Sequence, residues 1–316
     1  DKEQLLKMYA ALKNNPGEIV KAAARHRLIN FARYMQPDLA LEPFHVVYYT
    51  LLDKFAHGEI KKMIVQMPPQ HGKSEGSSRK LPAFMLGLNP DTKICIGSYA
   101  ATIARDFNRD VQRIIDTPKY REIFPKTFLN GSNVVTMANT YLRNSDVIEM
   151  VGHKGLLRVV GRGGALTSKT VDVMIMDDVY KDYSEGNSPI VRNAAWKWYT
   201  TVVKKRLHNK SQELIVFTRW HEEDLIGKIE KGGEKIIDIK SWDSIKNIPD
   251  GAWVRINFEA LKTGEPNEID PREPGAALWE NMHSRVKLER ERALDPIQFQ
   301  CLDQGNPGSA EGRLYR

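Results

Sequence analysis

The sequence predicts an α/β protein with a mainly parallel central sheet flanked by helices. Three observations predict it. Short apolar runs alternate with helical stretches along residues 58–230, the pattern of parallel strands buried on both faces and joined by crossovers. One such run, "KKMIVQM" (61–67), leads through a proline pair into Gly72-Lys73-Ser74. A later run, "VMIMDD" (173–178), ends in two adjacent carboxylates, Asp177 and Asp178.

Composition narrows the classes. A chain of 316 residues forms one large domain or two smaller ones, with a core of adequate size. Hydrophobic content of 41% and charged content of 28% exclude disordered and fibrous classes. No stretch of about 18 apolar residues exists, so no membrane span is expected, and no secretory signal is visible. Cys95 and Cys301 are too few and too far apart for a disulfide framework or a cysteine zinc site; Cys95, in an apolar run, reads as a buried thiol. The formal charge of +7 is compatible with a polyanionic partner. A start without Met and an end at Arg316 are compatible with a fragment.

Residues 1–57 read as mostly helical, "VVYYTLLDKF" (46–55) showing apolar spacing near 3.6. After the first strand, "KSEGSSRKLPAFMLGL" (73–88) is expected as a helix kinked at Pro82. "TKICIGSY" (92–99) reads as a second buried strand and "AATIARDFNRDVQRIID" (100–116) as an amphipathic helix. Residues 117–170 read as shorter strands and turns, ending in the Gly-rich "VVGRGGALTSKT". The acid-terminated strand covers 171–178. A helix over 188–207 follows, with Ser188 as N-cap and Pro189 in its first turn. "QELIVFTRW" (212–220) is another buried strand, 234–280 is rich in short β segments and turns, and a charged helix lies near 284–294. The domain organisation expected is an N-terminal helical segment (1–57), a core (58–230) and a small C-terminal lid or linker subdomain (231–316).

The chemistry starts at the Gly-Lys-Ser loop. A P-loop curls backbone N–H groups around phosphate at a helix N-terminus, where the helix dipole adds positive potential. The usual pattern is G-x-x-x-x-G-K-[ST]. Met67 stands at its first glycine, followed by Pro68 and Pro69, which restrict φ and give the same extended approach. Gly72, the glycine that touches phosphate, is retained. The loop from Pro69 through Gln70, His71, Gly72, Lys73 and Ser74 to Glu75 is therefore expected to cradle a nucleotide. Lys73 would reach the β- and γ-phosphates and the Ser74 hydroxyl Mg²⁺. Asp177 would hold the same Mg²⁺, and Asp178 would polarise the attacking water. The separation of 104 positions from Lys73 to Asp177 leaves room for an intervening strand, as in the additional-strand (ASCE) class of P-loop NTPases. Thr218, ending the strand in "IVFTRW", is placed to set a polar group between the carboxylates and the γ-phosphate.

Other signals lead nowhere comparable. His221-Glu222 lacks the second histidine of a zincin, since position 225 is Leu. "GRGGAL" does not complete a dinucleotide fingerprint. Trp196, Trp198 and Tyr199 read as core packing rather than base stacking. "KKRLHNK" (204–210) reads either as a solvated helix end or as a contact to phosphate backbone.

Taken in this order, "MPPQHGKSE", "GGALTSKTVDVMIMDD", "AAWKWY", "FTRWHEEDLIGKI" and "PIQFQCLDQGNPG", spread over roughly residues 43–308, resemble the large terminase subunit of tailed bacteriophages, the genome-packaging motor. The resemblance implies an ATPase that uses Mg²⁺ and ATP to move double-stranded DNA into a procapsid. It implies a homo-oligomeric ring on the portal protein, served by a small terminase subunit, with an isolated subunit that is monomeric. It implies no membrane partner, a place in the host cytoplasm during virion assembly, and absence from the mature virion. The family's RNase-H-like nuclease domain is expected to be missing, because the chain stops soon after "QGNP". By resemblance, Lys73 and Ser74 are the Walker A lysine and Mg²⁺ hydroxyl, and Asp177 is the Walker B acid. Asp178 stands where the family often has the catalytic glutamate, and Thr218 is the coupling residue. Gln70 replaces the arginine that related loops often carry. Phe44 and His45 fall in the adenine-contacting Q motif, with His45 in place of the usual glutamine. Arg162 is expected as the arginine finger supplied to a neighbouring subunit, with Arg158 and then Lys169 as alternatives. A P-loop helicase or other translocase, and a non-catalytic nucleotide-binding scaffold, are the competing functions. The first needs a second RecA-like domain, for which residues 220–316 are too short.

Overall fold

The structure, a computed structural model, describes residues 15–134, 140–166 and 170–308. Lys169 and the first part of the expected N-terminal helical segment lie outside the described residues.

Helices α1 (Pro16–His26), α2 (Leu28–Met35) and α3 (Pro43–Ala56) precede strand β1 (Lys62–Gln66). Helical turns begin at Lys73-Ser74, widen into a π-helical stretch at Glu75–Lys80, and continue as α4 (Leu81–Leu88). The irregularity expected at Pro82 takes this form: the wider turn ahead of Pro82 absorbs its missing N–H and bulky ring. Then come β2 (Lys93–Ser98), α5 (Ala101–Ile115), α6 (Pro118–Ile123), β3 (Val147–Glu149), β4 (Leu156–Gly161) and β5 (Val171–Asp177). Helix α7 (Tyr183–Asn187) leads to α8 (Pro189–Trp198), capped by Ser188, whose side chain accepts from the Val191 N–H. Helical turns run on through residues 199–206, matching the long helix read from the sequence. The chain continues with β6 (Leu207–Val216), α9 (Leu225–Lys231), β7 (Ile236–Asp238), β8 (Trp253–Asn257), α10 (Arg285–Leu294) and α11 (Pro296–Leu302).

The strands form an eight-stranded sheet in the order β3-β4-β2-β5-β6-β1-β8-β7. Every pairing is parallel except β3 with β4. Strand β6 lies between β1 and β5, and this inserted strand defines the additional-strand P-loop class. Residues 231–316, read from sequence as a small lid or linker subdomain, contribute β7 and β8 to this sheet, with β8 directly beside β1. The "QGNP" stretch also returns to the sheet. Gln66 Nε2 donates to the Gly305 carbonyl at 2.8 Å, and the Gln304 amide both donates to and accepts from the Leu261 backbone.

Strand alternation supplies both faces. Met63 and Val65, Ile94 and Ile96, Val173 and Ile175, and Leu214 and Val216 face one core, which α1–α6 cover. Ile64, Cys95, Met174, Met176, Ile215 and Phe217 face the other, against α8 and α9. Truncating a residue such as the fully buried Phe84 would cost about 3–5 kcal/mol. At Gly97, a Cβ would come 2.8 Å from the Trp198 ring, so glycine is what lets α8 lie close on β2. Tyr199 donates to Glu213 at 2.9 Å; the aromatic cluster is core. In the basic run, Lys204 pairs with Glu213 at 2.8 Å and His208 meets Asp172 at 2.9 Å.

Candidate nucleotide-binding site

The loop between β1 and the following helix turns on two left-handed residues. Gln70 has φ 60° and Gly72 φ 81°. With Pro68 and Pro69 holding the entry extended, part of the curvature falls on a non-glycine residue, a conformation that persists only where surrounding contacts enforce it.

Those contacts come mainly from α3. Tyr48 donates its hydroxyl to the Lys73 carbonyl at 2.6 Å. His45 Nδ1 accepts from the Glu42 N–H at 3.0 Å, so Nε2 carries the proton and donates to the His71 carbonyl at 3.2 Å. His71 Nδ1 donates to the Pro69 carbonyl at 2.7 Å, and its ring stacks on His283 with centroids 4.4 Å apart. Burial lowers both His45 and His71 to about 4, so both are neutral at physiological pH. Phe44 packs against His45, Phe258 and Trp279. The two residues read as adenine contacts thus lie beneath the loop, and both His45 nitrogens are engaged with backbone.

The residues read from the sequence as catalytic meet at the strand tips. Lys73 Nζ donates to Thr218 Oγ1 at 2.5 Å and lies 3.0 Å from Asp178 Oδ2. Ser74 Oγ donates to Asp177 Oδ1 at 3.0 Å. Asp177 is 1% exposed, whereas the Asp178 side chain is 33% exposed. Burial, then repulsion from Asp178, pushes the Asp177 carboxyl up to about 6, against the pull of Lys73. Asp178 has φ 43°. Its N–H donates to Val216 O at 3.1 Å, its carbonyl accepts from the Tyr99 N–H at 2.8 Å, and its Oδ1 accepts from the Thr218 N–H at 3.3 Å. One residue therefore ties the tips of β2, β5 and β6 together. Glu75, read as part of the phosphate cradle, pairs with Lys80 at 2.9 Å.

Arg162, just past β4, does not project freely. Its guanidinium donates to Val179 O at 2.7 Å and grips Glu185 with two nitrogens at 2.8 and 3.1 Å. Arg158 lies mid-strand in β4 opposite Cys95, away from the tips. Arg219, beside Thr218, pairs with the fully buried Asp224 at 2.7 Å.

Four participants carry no motif: Tyr48, Ser78, Glu185 and His283. Only Ser78 left a trace in the sequence. It lies four residues after Ser74, one helical turn along the same face, and its hydroxyl donates to Asp177 Oδ2. The donor set at this point, the Ser74 hydroxyl and the Asp177 carboxylate, is all oxygen, which suits a hard Mg²⁺ ion rather than zinc.

The sheet order and the convergence of Lys73, Ser74, Asp177 and Thr218 define a P-loop NTPase of the additional-strand class. A family profile described as terminase large subunit, T4likevirus-type, N-terminal, matches residues 64–279, and the chain belongs to that family. No curated protein matches it. Among solved structures, the chain is similar to the large terminase of bacteriophage HK97, at 14% identity and a TM-score of 0.51, over 89% of this chain and 55% of that one. It thus spans about half of that terminase. It is also similar to the large terminase ATPase domain of Thermus phage P74-26, at 15% identity and a TM-score of 0.51, over 87% and 97% of the two chains. A variant of that domain with one arginine replaced by alanine matches at 14% identity and a TM-score of 0.52, over 86% and 96%. At these identities the likeness is one of fold. Among the described residues, no helix is long and apolar enough to cross a membrane.

Proposed function

We propose that this domain hydrolyses Mg·ATP and uses the energy to drive double-stranded DNA into a procapsid. The observation that carries the reading is the contact of Lys73 with both Thr218 and Asp178, next to Ser74 on Asp177. Strands β5 and β6 bring the two carboxylates and Thr218 to the loop that follows β1. Bound Mg²⁺ would neutralise charge across the β- and γ-phosphate oxygens, held by Ser74 and Asp177. Lys73 would bind the same phosphates. Asp178, the more exposed acid, would orient the attacking water and accept its proton. Thr218, touching both Lys73 and Asp178, would link the state of the phosphates to the tip of β6.

Arg162 is the proposed finger for a neighbouring subunit in a ring on the portal protein, with the small terminase subunit as a further partner, during assembly in the host cytoplasm. In the single chain its guanidinium is committed to Glu185 and Val179. Delivery to a neighbour requires that grip to open, which supports a monomer that binds Mg·ATP but turns it over slowly. The test is Mg²⁺-dependent ATP hydrolysis by the purified chain, alone and with DNA and portal-bearing procapsids. Stimulation by the full set supports the reading; absence of nucleotide binding under all conditions overturns it.

A further inference from the structure

We propose that Ser78 is a positioning residue for Asp177, setting which carboxylate oxygen is offered to the metal. The inference rests on the Mg·nucleotide reading above. Asp177 faces three hydroxyls from one helix: Ser74 on Oδ1 at 3.0 Å, Ser77 on Oδ2 at 3.4 Å, and Ser78 in close contact with Oδ2. A serine has a single proton to donate. That of Ser77 goes to the Lys73 carbonyl at 2.9 Å, and its longer approach to Asp177 falls outside ordinary hydrogen-bond distance. Ser78 is fully buried, and its other hydroxyl neighbour is Ser77 Oγ at 3.3 Å. Its proton is therefore directed at Asp177 Oδ2.

The π-helical stretch Glu75–Lys80 carries Ser77 and Ser78 while keeping both on the side of Ser74. Oδ2 is thus anchored on Ser78, and Oδ1 is left on the side of the Ser74 hydroxyl, the second metal donor. Without the Ser78 anchor, the carboxylate is free to rotate and loses its preset orientation. Groups that orient a metal ligand in this way are worth about 10–100-fold in metal affinity.

The test is Mg²⁺ titration of the full chain in the presence of a fluorescent ADP analogue, read by fluorescence rather than turnover. Ser78→Ala should raise the Mg²⁺ concentration at half-saturation roughly 10-fold, with metal-free ADP affinity and thermal midpoint retained. Ser77→Ala should shift it far less. In an Asp177→Asn background, Ser78→Ala should cause no further loss, because its route of action is already gone. Equal Mg²⁺ half-saturation in wild type and Ser78→Ala overturns the inference, as does a further loss on top of Asp177→Asn. Equal weakening of metal-free and Mg²⁺-bound ADP marks a merely structural role and also overturns it. A wild-type chain without any Mg²⁺-dependent ADP binding overturns the functional reading and this inference with it.

Discussion

The ammonium of Lys73 and the hydroxyl of Thr218, 145 residues apart in sequence, meet at 2.5 Å. The meeting follows from the sheet order. With β6 inserted between β1 and β5, the residues just beyond β6 emerge between the phosphate-binding loop and the paired carboxylates. Thr218 uses its hydroxyl on the lysine and its backbone N–H on Asp178, so it contacts both halves of the site.

Lys73→Ala should lower ATP turnover by about 10²-fold or more, the scale of removing a preorganised group that stabilises transition-state charge. Thr218→Val keeps the shape and removes the hydroxyl; it should lower kcat while leaving KM nearly unchanged. Steady-state kinetics on assembled rings checks both. Wild-type turnover in Lys73→Ala would remove the P-loop assignment.

The two acids should separate experimentally. Asp177→Asn should weaken Mg²⁺-dependent nucleotide binding, because the buried donor beside Ser74 loses its charge. Asp178→Asn should spare Mg·ATP binding and stop hydrolysis, since this more exposed carboxylate is the one open to water. Calorimetric binding and phosphate release, measured on both variants, distinguish these outcomes. Normal hydrolysis by Asp178→Asn would make the second acid structural.

Acid sensitivity should track the histidines under the loop. Burial lowers His45 and His71 from 6.5 to about 4. Between those values the unfolded chain binds protons that the folded chain does not, so stability rises with pH across the window. Their contribution is complete above pH 6.5 and lost as pH falls toward 4, by up to about 1.4 kcal/mol per pH unit for each group. His45→Gln keeps an amide donor for the His71 carbonyl and should flatten that dependence. Urea midpoints at neutral and mildly acidic pH give the readout, and an unchanged slope in His45→Gln would exclude His45 as a source.

Arginine supply should make activity cooperative. An arginine provided in trans is worth about 10³–10⁵ in rate in other nucleotide hydrolases. Mixing Arg162→Ala with Lys73→Ala subunits pairs an intact loop with an intact finger, so activity should partly return in rings containing both. No recovery, together with full activity of Arg162→Ala alone, would exclude Arg162.

That Lys73, Ser74 and Asp177 lie at a loop after one strand and at the end of another was legible, because those placements depend on local sequence. Thr218 was legible once a third strand was assumed. The sequence placed Phe44 and His45 ahead of the loop, but their burial and the use of both imidazole nitrogens depend on how α3 packs under it. The sheet membership of β7 and β8 was hidden, because strands this short are defined by their partners rather than by periodicity. Glu185 and Tyr48 left no trace at all. Tyr48 meets a backbone carbonyl and Glu185 a guanidinium, each more than twenty residues away, and such pairings have no sequence spacing to betray them.

The sheet order also governs how the protein is born. Its middle pairings join strands distant in sequence, with β1 between β6 and β8 and β2 beside β5. Loop closure must precede any reward from such contacts, so folding is slow compared with a helical bundle of similar size. Ser74 and Asp177 lie 103 residues apart and Lys73 and Thr218 lie 145 apart, so a partly synthesised chain owns the loop and the α3 residues beneath it but neither Asp177 nor Thr218. On the proposed function, nucleotide would not template early folding; it would bind once the central strands have assembled and then hold the finished fold by mass action.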